Sequence, residues 1–149
     1  MQETKMINEV IVKSRKDMIE HSAKITKPSI ILSIRDVNSK PAMFHSNPNI
    51  KRVCLFEFED WDREGDGEIV ITEFDANRIA DIVFEYDNLP DEYDIYVNCE
   101  AGQSRSAGVA AAICKVLSGS DDFFFRTKHP NMLCYRKVFN ALSEKFEKN

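Results

Sequence analysis

Three short apolar runs set the frame of this chain: Ile30–Ile34 (IILSI), Val53–Phe58 (VCLFEF) and Ile95–Val97 (IYV). Each is too short for a helix and rich in β-branched or aromatic residues, so each reads as a buried strand. Segments with helical spacing lie between and after them. Thr72, with Asp75 at the third position, opens a helix whose apolar stripe is Ile79, Ile82, Val83 and Tyr86; Asn88, Leu89 and Pro90 end it. A small-residue helix runs from Ser106 to Leu117, with Gly119 placed as its stop. Asn131 caps a last helix that turns Tyr135, Val138, Leu142 and Phe146 inward. Upstream, Val10–Val12 reads as a short strand, and Ser14 with Asp17 caps a short helix through His21 that Pro28 and Ser29 exclude from going further. Residues 36–49 form a loop by composition, and the polar residues 1–9 are expected to fray. Strands alternating with helices predict an α/β fold: a three-layer sandwich whose central sheet is mostly parallel and has about four to five strands.

With 149 residues, the expected organisation is a single domain over 1–149. Twenty basic residues against 25 acidic ones give a net charge of −5. A phosphate backbone attracts a basic surplus, so nucleic acid is not the expected partner. No apolar run approaches the ~18–20 residues that span a bilayer, and MQETKMINEV lacks a secretory core, so the expectation is a cytoplasmic protein without membrane association. Cys54, Cys99, Cys114 and Cys134 form no CxxC pair, and His21, His45 and His129 are scattered. Neither a metal site nor another cofactor has support in that pattern. Cys54 in VCLFEF and Cys114 in AAICKVL fit reduced thiols in a core.

Chemistry concentrates in Ile95–Leu117, IYVNCEAGQSRSAGVAAAICKVL. A hydrophobic strand runs into Asn98 and Cys99, a polar loop follows, and a helix opens at Arg105-Ser106. A loop between a strand end and a helix N-terminus turns successive backbone N–H groups inward, and the helix dipole adds partial positive charge. Gly102 permits the torsions such a nest requires. Arg105 contributes a planar fork that grips two oxygens of a phosphate. Cys99 lies at the floor of this anion cradle, where the same N–H groups favour its thiolate. Of the four cysteines, only Cys99 is followed six positions later by an arginine.

Cys99-x5-Arg105-Ser106 resembles the signature loop of the cysteine-dependent protein tyrosine phosphatase superfamily, and NCEAGQSRSAGVAAAI is most similar to its compact dual-specificity branch. The resemblance is specific over 93–118 and looser over 50–145, where the elements come in that family's order. Three departures stand out. Asn98 occupies a position that is usually His in the family; an amide there supplies hydrogen bonds but no positive charge. The long phosphotyrosine-recognition segments of the classical enzymes do not fit in this length. The late position of Cys99 separates the chain from the low-molecular-weight branch.

The resemblance implies that Cys99 attacks phosphorus to form a cysteinyl-phosphate. It implies that Glu100, Ala101, Gly102, Gln103, Ser104 and Arg105 bind the phosphate, and that Ser106 donates a hydrogen bond to the sulfur. A carboxylic acid protonates the departing hydroxyl. The family draws it from the loop after the strand that precedes the long helix, here Glu59-Asp60-Trp61-Asp62-Arg63-Glu64-Gly65-Asp66. Asp60, directly past the strand end, is favoured, with Asp62 next. The alternative for Asp62, Glu64 and Asp66 is a solvated loop, with Asp66-Gly67 a plain turn. Trp61 lines the pocket mouth or anchors the loop. Arg126, Lys128 and His129 sit in a solvated loop or touch a substrate's charge. His21 and His45 have no assigned role.

A loop carrying Glu100 and no lysine favours a phosphorylated protein or small phosphomonoester over polyanionic inositol phosphates or capped RNA. Two other classes share the pattern: a non-catalytic phosphate-binding pseudophosphatase, and a sulfurtransferase or arsenate reductase. Rhodanese-type loops usually have one residue fewer, and arsenate reduction wants a resolving cysteine pair.

Overall fold

The computed structural model describes residues 7–65 and 67–148. Residues 1–6 of the expected frayed end, and Asp66 of the expected turn, lie outside the described residues. The elements follow in the order β1 (Ile7–Ser14), α1 (Arg15–Ser22), β2 (Ser29–Arg35), β3 (Ile50–Glu57), α2 (Glu73–Asp87), β4 (Tyr93–Cys99), α3 (Arg105–Ser118), α4 (Asp122–Thr127) and α5 (Met132–Lys148). The sheet has four strands in the order β1-β4-β2-β3, and all three pairings are parallel. The α/β sandwich is therefore present, with a sheet that is wholly parallel.

Alternation along each strand sorts residues between two cores. Ile30, Leu32, Ile34, Cys54, Phe56, Ile95, Val97 and Cys99 face a large core shared with α2, α3 and α5. Ile31 and Tyr96 point the other way and pack with Met18 of α1 and Ile25. Burial on both faces explains why IILSI and IYV read as near-continuous apolar runs rather than alternating ones. β3 is an edge strand, and its outward-facing Val53 and Leu55 are partly exposed.

Local chemistry accounts for the helix ends. Ser14 Oγ accepts from the Asp17 N–H at 3.1 Å. Thr72 and Asp75 form a reciprocal capping box. Gly119 ends α3 in the left-handed conformation with φ 84°. Asn131 Oδ1 accepts from the Cys134 N–H at 2.9 Å at the start of α5.

Two expectations are corrected. Residues 7–9 do not fray: they belong to β1, where Ile7 is buried and pairs in register with Tyr93. A polar composition hid a strand held by ladder hydrogen bonds on one side. The segment before the last helix contains α4, a short helix anchored by buried Phe124; with one inward side chain in a single turn and a half it has no periodicity to read.

Parallel pairing brings all four strand C-termini to one edge. Ser14 lies opposite Cys99, Arg35 opposite Glu57, and Ser33 opposite Asn98. In open parallel sheets ligands bind at that carboxyl edge.

Candidate active site

Residues 100–104 make the turn from β4 into α3, and glycine geometry fixes its shape. Gly102 has φ 68°, and a β-carbon there would lie 2.5 Å from the Ser14 nitrogen and 2.6 Å from the Lys13 carbonyl carbon. Only glycine meets both the left-handed torsion and the close approach to the end of β1. The Arg15 N–H donates to the Glu100 carbonyl at 3.2 Å on the same side. On the other flank the N–H groups of His129 and Asn131 donate to the carbonyls of Gln103 and Ser104 at 3.0 and 2.9 Å. Three loop carbonyls are thus turned outward into the protein. Among the described residues nothing accepts from the N–H groups of Glu100, Ala101, Gly102, Gln103 or Ser104. That is the polarity of an anion nest at a helix N-terminus.

Cys99 ends β4, buried at the floor of the turn, and its Sγ lies 3.0 Å from Ser106 Oγ. Arg105 opens α3 and is only 5% exposed. Its Nη1 donates to the Phe58 carbonyl at 2.7 Å, its Nη2 pairs with Asp36 Oδ1 at 2.8 Å, and its buried Nε has no partner among the described residues. The structure therefore brings Cys99, the 100–104 loop, Arg105 and Ser106 into one constellation. Within the loop, Glu100, Ala101 and Gln103 are exposed, while Gly102 is buried.

The acidic loop after β3 reaches the same place. Asp60 Oδ1 accepts from Ser104 Oγ at 2.8 Å and from Asn131 Nδ2 at 2.8 Å. Asn131 Nδ2 also donates to the Trp61 carbonyl at 3.0 Å, so one amide both caps α5 and ties the acidic loop to it. The Glu59 N–H donates to the Ile69 carbonyl at 2.7 Å, closing the base of that loop. Asp62 is exposed, and no hydrogen bond or ion pair holds it among the described residues. Glu64 pairs with Lys137 instead. Trp61 is 47% exposed, and the loop is anchored through that residue's carbonyl rather than its indole.

Gly108 makes the Asn131 contact possible. A β-carbon on it would sit 2.4 Å from the Asn131 carbonyl oxygen, so a glycine in α3 lets the start of α5 settle against the site. Of the three charged residues preceding α5, Arg126 falls within α4, whereas Lys128 and His129 follow it, His129 through its backbone at the loop flank. His21 Nε2 lies 3.1 Å from the Tyr96 hydroxyl on the α1 face of the sheet.

Asn98 differs from its expected behaviour. It is 1% exposed, and neither its Nδ2 nor its Oδ1 has a hydrogen-bond partner among the described residues. Its register neighbours are Lys13 in β1 and Ser33 in β2. Burial acts on the other three thiols. It pushes Cys54 up, Cys114 up to about 11, and Cys134 well above the usual thiol range, with the charge of Asp60 adding to the last.

Sequence reasoning passed over two participants, Asp36 and the side-chain amide of Asn131 as a partner of Asp60. Both stand where the topology points, one directly past the end of β2 and the other at the N-terminus of a helix facing the carboxyl edge. The signal for Asp36 was its place after a parallel strand.

No family model matches the sequence, and no curated protein matches it. Solved structures do. Human tyrosine phosphatase-like serine/threonine/tyrosine-interacting protein superposes with a TM-score of 0.58 at 13% identity, over 93% of this chain and 91% of that one. Human DUSP28 gives 0.55 at 11% identity, over 94% of this chain and 95% of that one. PTPMT1 in complex with PI(5)P gives 0.56 at 13% identity, with 94% of each chain covered. The fold is that of the dual-specificity phosphatases.

Proposed function

We propose that this chain is a cysteine-dependent phosphomonoester hydrolase acting on phosphorylated protein side chains, phosphotyrosine foremost. The observation that carries the reading is the convergence at one sheet edge of Cys99 Sγ, Ser106 Oγ, the Arg105 fork and the N–H groups of 100–104, which are unpaired among the described residues. In the first step the Cys99 thiolate attacks phosphorus. An S–P bond forms, the bond from phosphorus to the substrate oxygen breaks, and the proton of Asp60 passes to that oxygen. Loop N–H groups and Arg105 stabilise the charge spreading over the equatorial oxygens. In the second step water attacks the cysteinyl-phosphate, and Asp60 takes its proton. The sulfur leaves with a hydrogen bond from Ser106, and inorganic phosphate departs.

Asp60 is favoured over Asp62 as the acid because Ser104 and Asn131 hold its Oδ1 beside the 100–104 loop, whereas Asp62 is exposed and has no partner among the described residues. The substrate class rests on charge. Although one structural neighbour was captured with PI(5)P, the present loop bears Glu100 and no lysine, which weakens a cradle for a polyanionic headgroup.

The test is hydrolysis of p-nitrophenyl phosphate by wild type and Cys99→Ser, with orthovanadate and phosphate binding measured on both. Turnover in wild type, its loss in Cys99→Ser and retained phosphate binding are expected. Phosphate binding without turnover in wild type indicates a non-catalytic phosphate-binding module. Turnover surviving in Cys99→Ser contradicts the covalent mechanism.

A further inference from the structure

Arg105 is held in place before any substrate arrives. Its guanidinium is buried, and two of its nitrogens are already committed, Nη1 to the Phe58 carbonyl and Nη2 to Asp36. The remaining nitrogen, Nε, is buried and has no partner among the described residues. An Nε–H beside the second N–H of Nη2 is the edge with which arginine makes a bidentate grip on an oxyanion.

Asp36 is itself held by an unusual amount of structure for an exposed turn. The Ser39 N–H and hydroxyl both donate to its carbonyl, at 3.1 and 2.6 Å, closing a turn in which Asn38 takes φ 67°. The next two N–H groups are captured by carboxylates from the end of β3: Val37 donates to Glu59 at 3.0 Å and Asn38 to Glu57 at 2.8 Å. Arg35 completes the frame, donating to Glu57 and to the Ser39 carbonyl. A turn built only to connect two strands does not need three acidic side chains from two strand ends arranged in this way. Its one product at the site is a carboxylate aimed at Arg105.

We propose that Asp36 is the positioning residue for Arg105, fixing the guanidinium so that its free edge meets the equatorial oxygens of the transferring phosphoryl group. The inference rests on the phosphatase reading above and deepens it. Asp36 does not touch the substrate. Its negative charge contributes nothing to ground-state attraction of a phosphate, and its effect is felt where orientation matters most, in the planar array of the transition state.

The variants are Asp36→Ala, which removes the anchor, and Asp36→Asn, which is isosteric at a side chain 44% exposed and keeps the fold if the first does not. Both are compared with wild type for kcat, KM, and the affinities of inorganic phosphate and orthovanadate, the latter a mimic of the transition-state geometry. Trp61, the sole tryptophan and adjacent to Asp60, reports binding by fluorescence without turnover. The expected result is a fall in kcat of roughly tenfold or more for Asp36→Ala and less for Asp36→Asn. Vanadate affinity falls in parallel, while KM and phosphate affinity move less than about threefold. A merely structural residue would weaken both anions together and lower the melting temperature in step.

Wild-type turnover that needs Cys99 but is indifferent to Asp36 overturns the inference and leaves the phosphatase reading standing. Equal losses for phosphate and vanadate overturn it as well. If wild type shows no turnover, the phosphatase reading fails by itself. The inference then stands if Asp36→Asn lowers the vanadate-to-phosphate affinity ratio and falls if that ratio is unchanged.

Discussion

Asn98 carries two buried polar atoms without partners among the described residues, one residue from the proposed nucleophile. An unsatisfied buried polar group costs about 1–3 kcal/mol, so Asn98→Val should raise stability by about that amount, helped by the better strand propensity of valine. Urea denaturation checks it, with a higher midpoint at unchanged slope expected; a lower midpoint would mean that the amide makes bonds the fold depends on. The thiols allow a second prediction at this scale. Burial raises Cys54, Cys114 and Cys134, so all three stay protonated at neutral pH, and their thiolates appear only as pH rises toward those elevated values, about 11 for Cys114. Iodoacetamide at neutral pH should therefore label Cys99 first, and inorganic phosphate should protect it. Peptide mapping that finds Cys114 labelled ahead of Cys99 would contradict the assignment. That Cys99, Gly102, Arg105 and Ser106 share one strand-to-helix turn was legible in sequence, because that much depends on chain neighbours only. Asp36 was not, because its meaning comes from a partner far along the chain.

α5 and the acidic loop share one side chain. Asn131 caps the helix through Oδ1 and holds Asp60 and Trp61 through Nδ2. Serine caps a helix about as well as asparagine but lacks the second arm. Asn131→Ser should thus keep stability within about 1 kcal/mol of wild type. It should also slow alkyl-phosphate hydrolysis on the order of tenfold, with far less effect on p-nitrophenyl phosphate, whose leaving group needs little protonation. Equal losses on the two substrates would place Asn131 outside the acid's support. The cap half of this arrangement was readable from local sequence, as were Thr72, Ser14 and Gly119, since capping is decided within one turn of helix. The clamp half was not, because it joins residues 60 and 131 across the fold. For the same reason residues 7–9 of β1 escaped notice: their strand character is imposed by β4, not by their own composition.

At the scale of the whole molecule, the parallel sheet does the assembling. It sets the ends of β1, β2, β3 and β4 on one edge, where β1 buttresses Gly102, the turn after β2 anchors Arg105, the loop after β3 brings Asp60, and β4 ends in Cys99. The α/β class and its parallel character followed from short apolar runs alternating with helical segments. The strand order did not, because which strands neighbour one another depends on how the crossovers pack rather than on any one segment. No described helix is long and apolar enough to cross a membrane.

The most direct measurement of the account is the covalent intermediate. Wild-type protein mixed with p-nitrophenyl phosphate, quenched in acid during turnover and digested, should yield a phosphoryl group on the peptide carrying Cys99. Cys99→Ser treated in the same way should yield none. Turnover with no adduct on that peptide, or with the adduct on any other residue, would contradict Cys99 as the nucleophile.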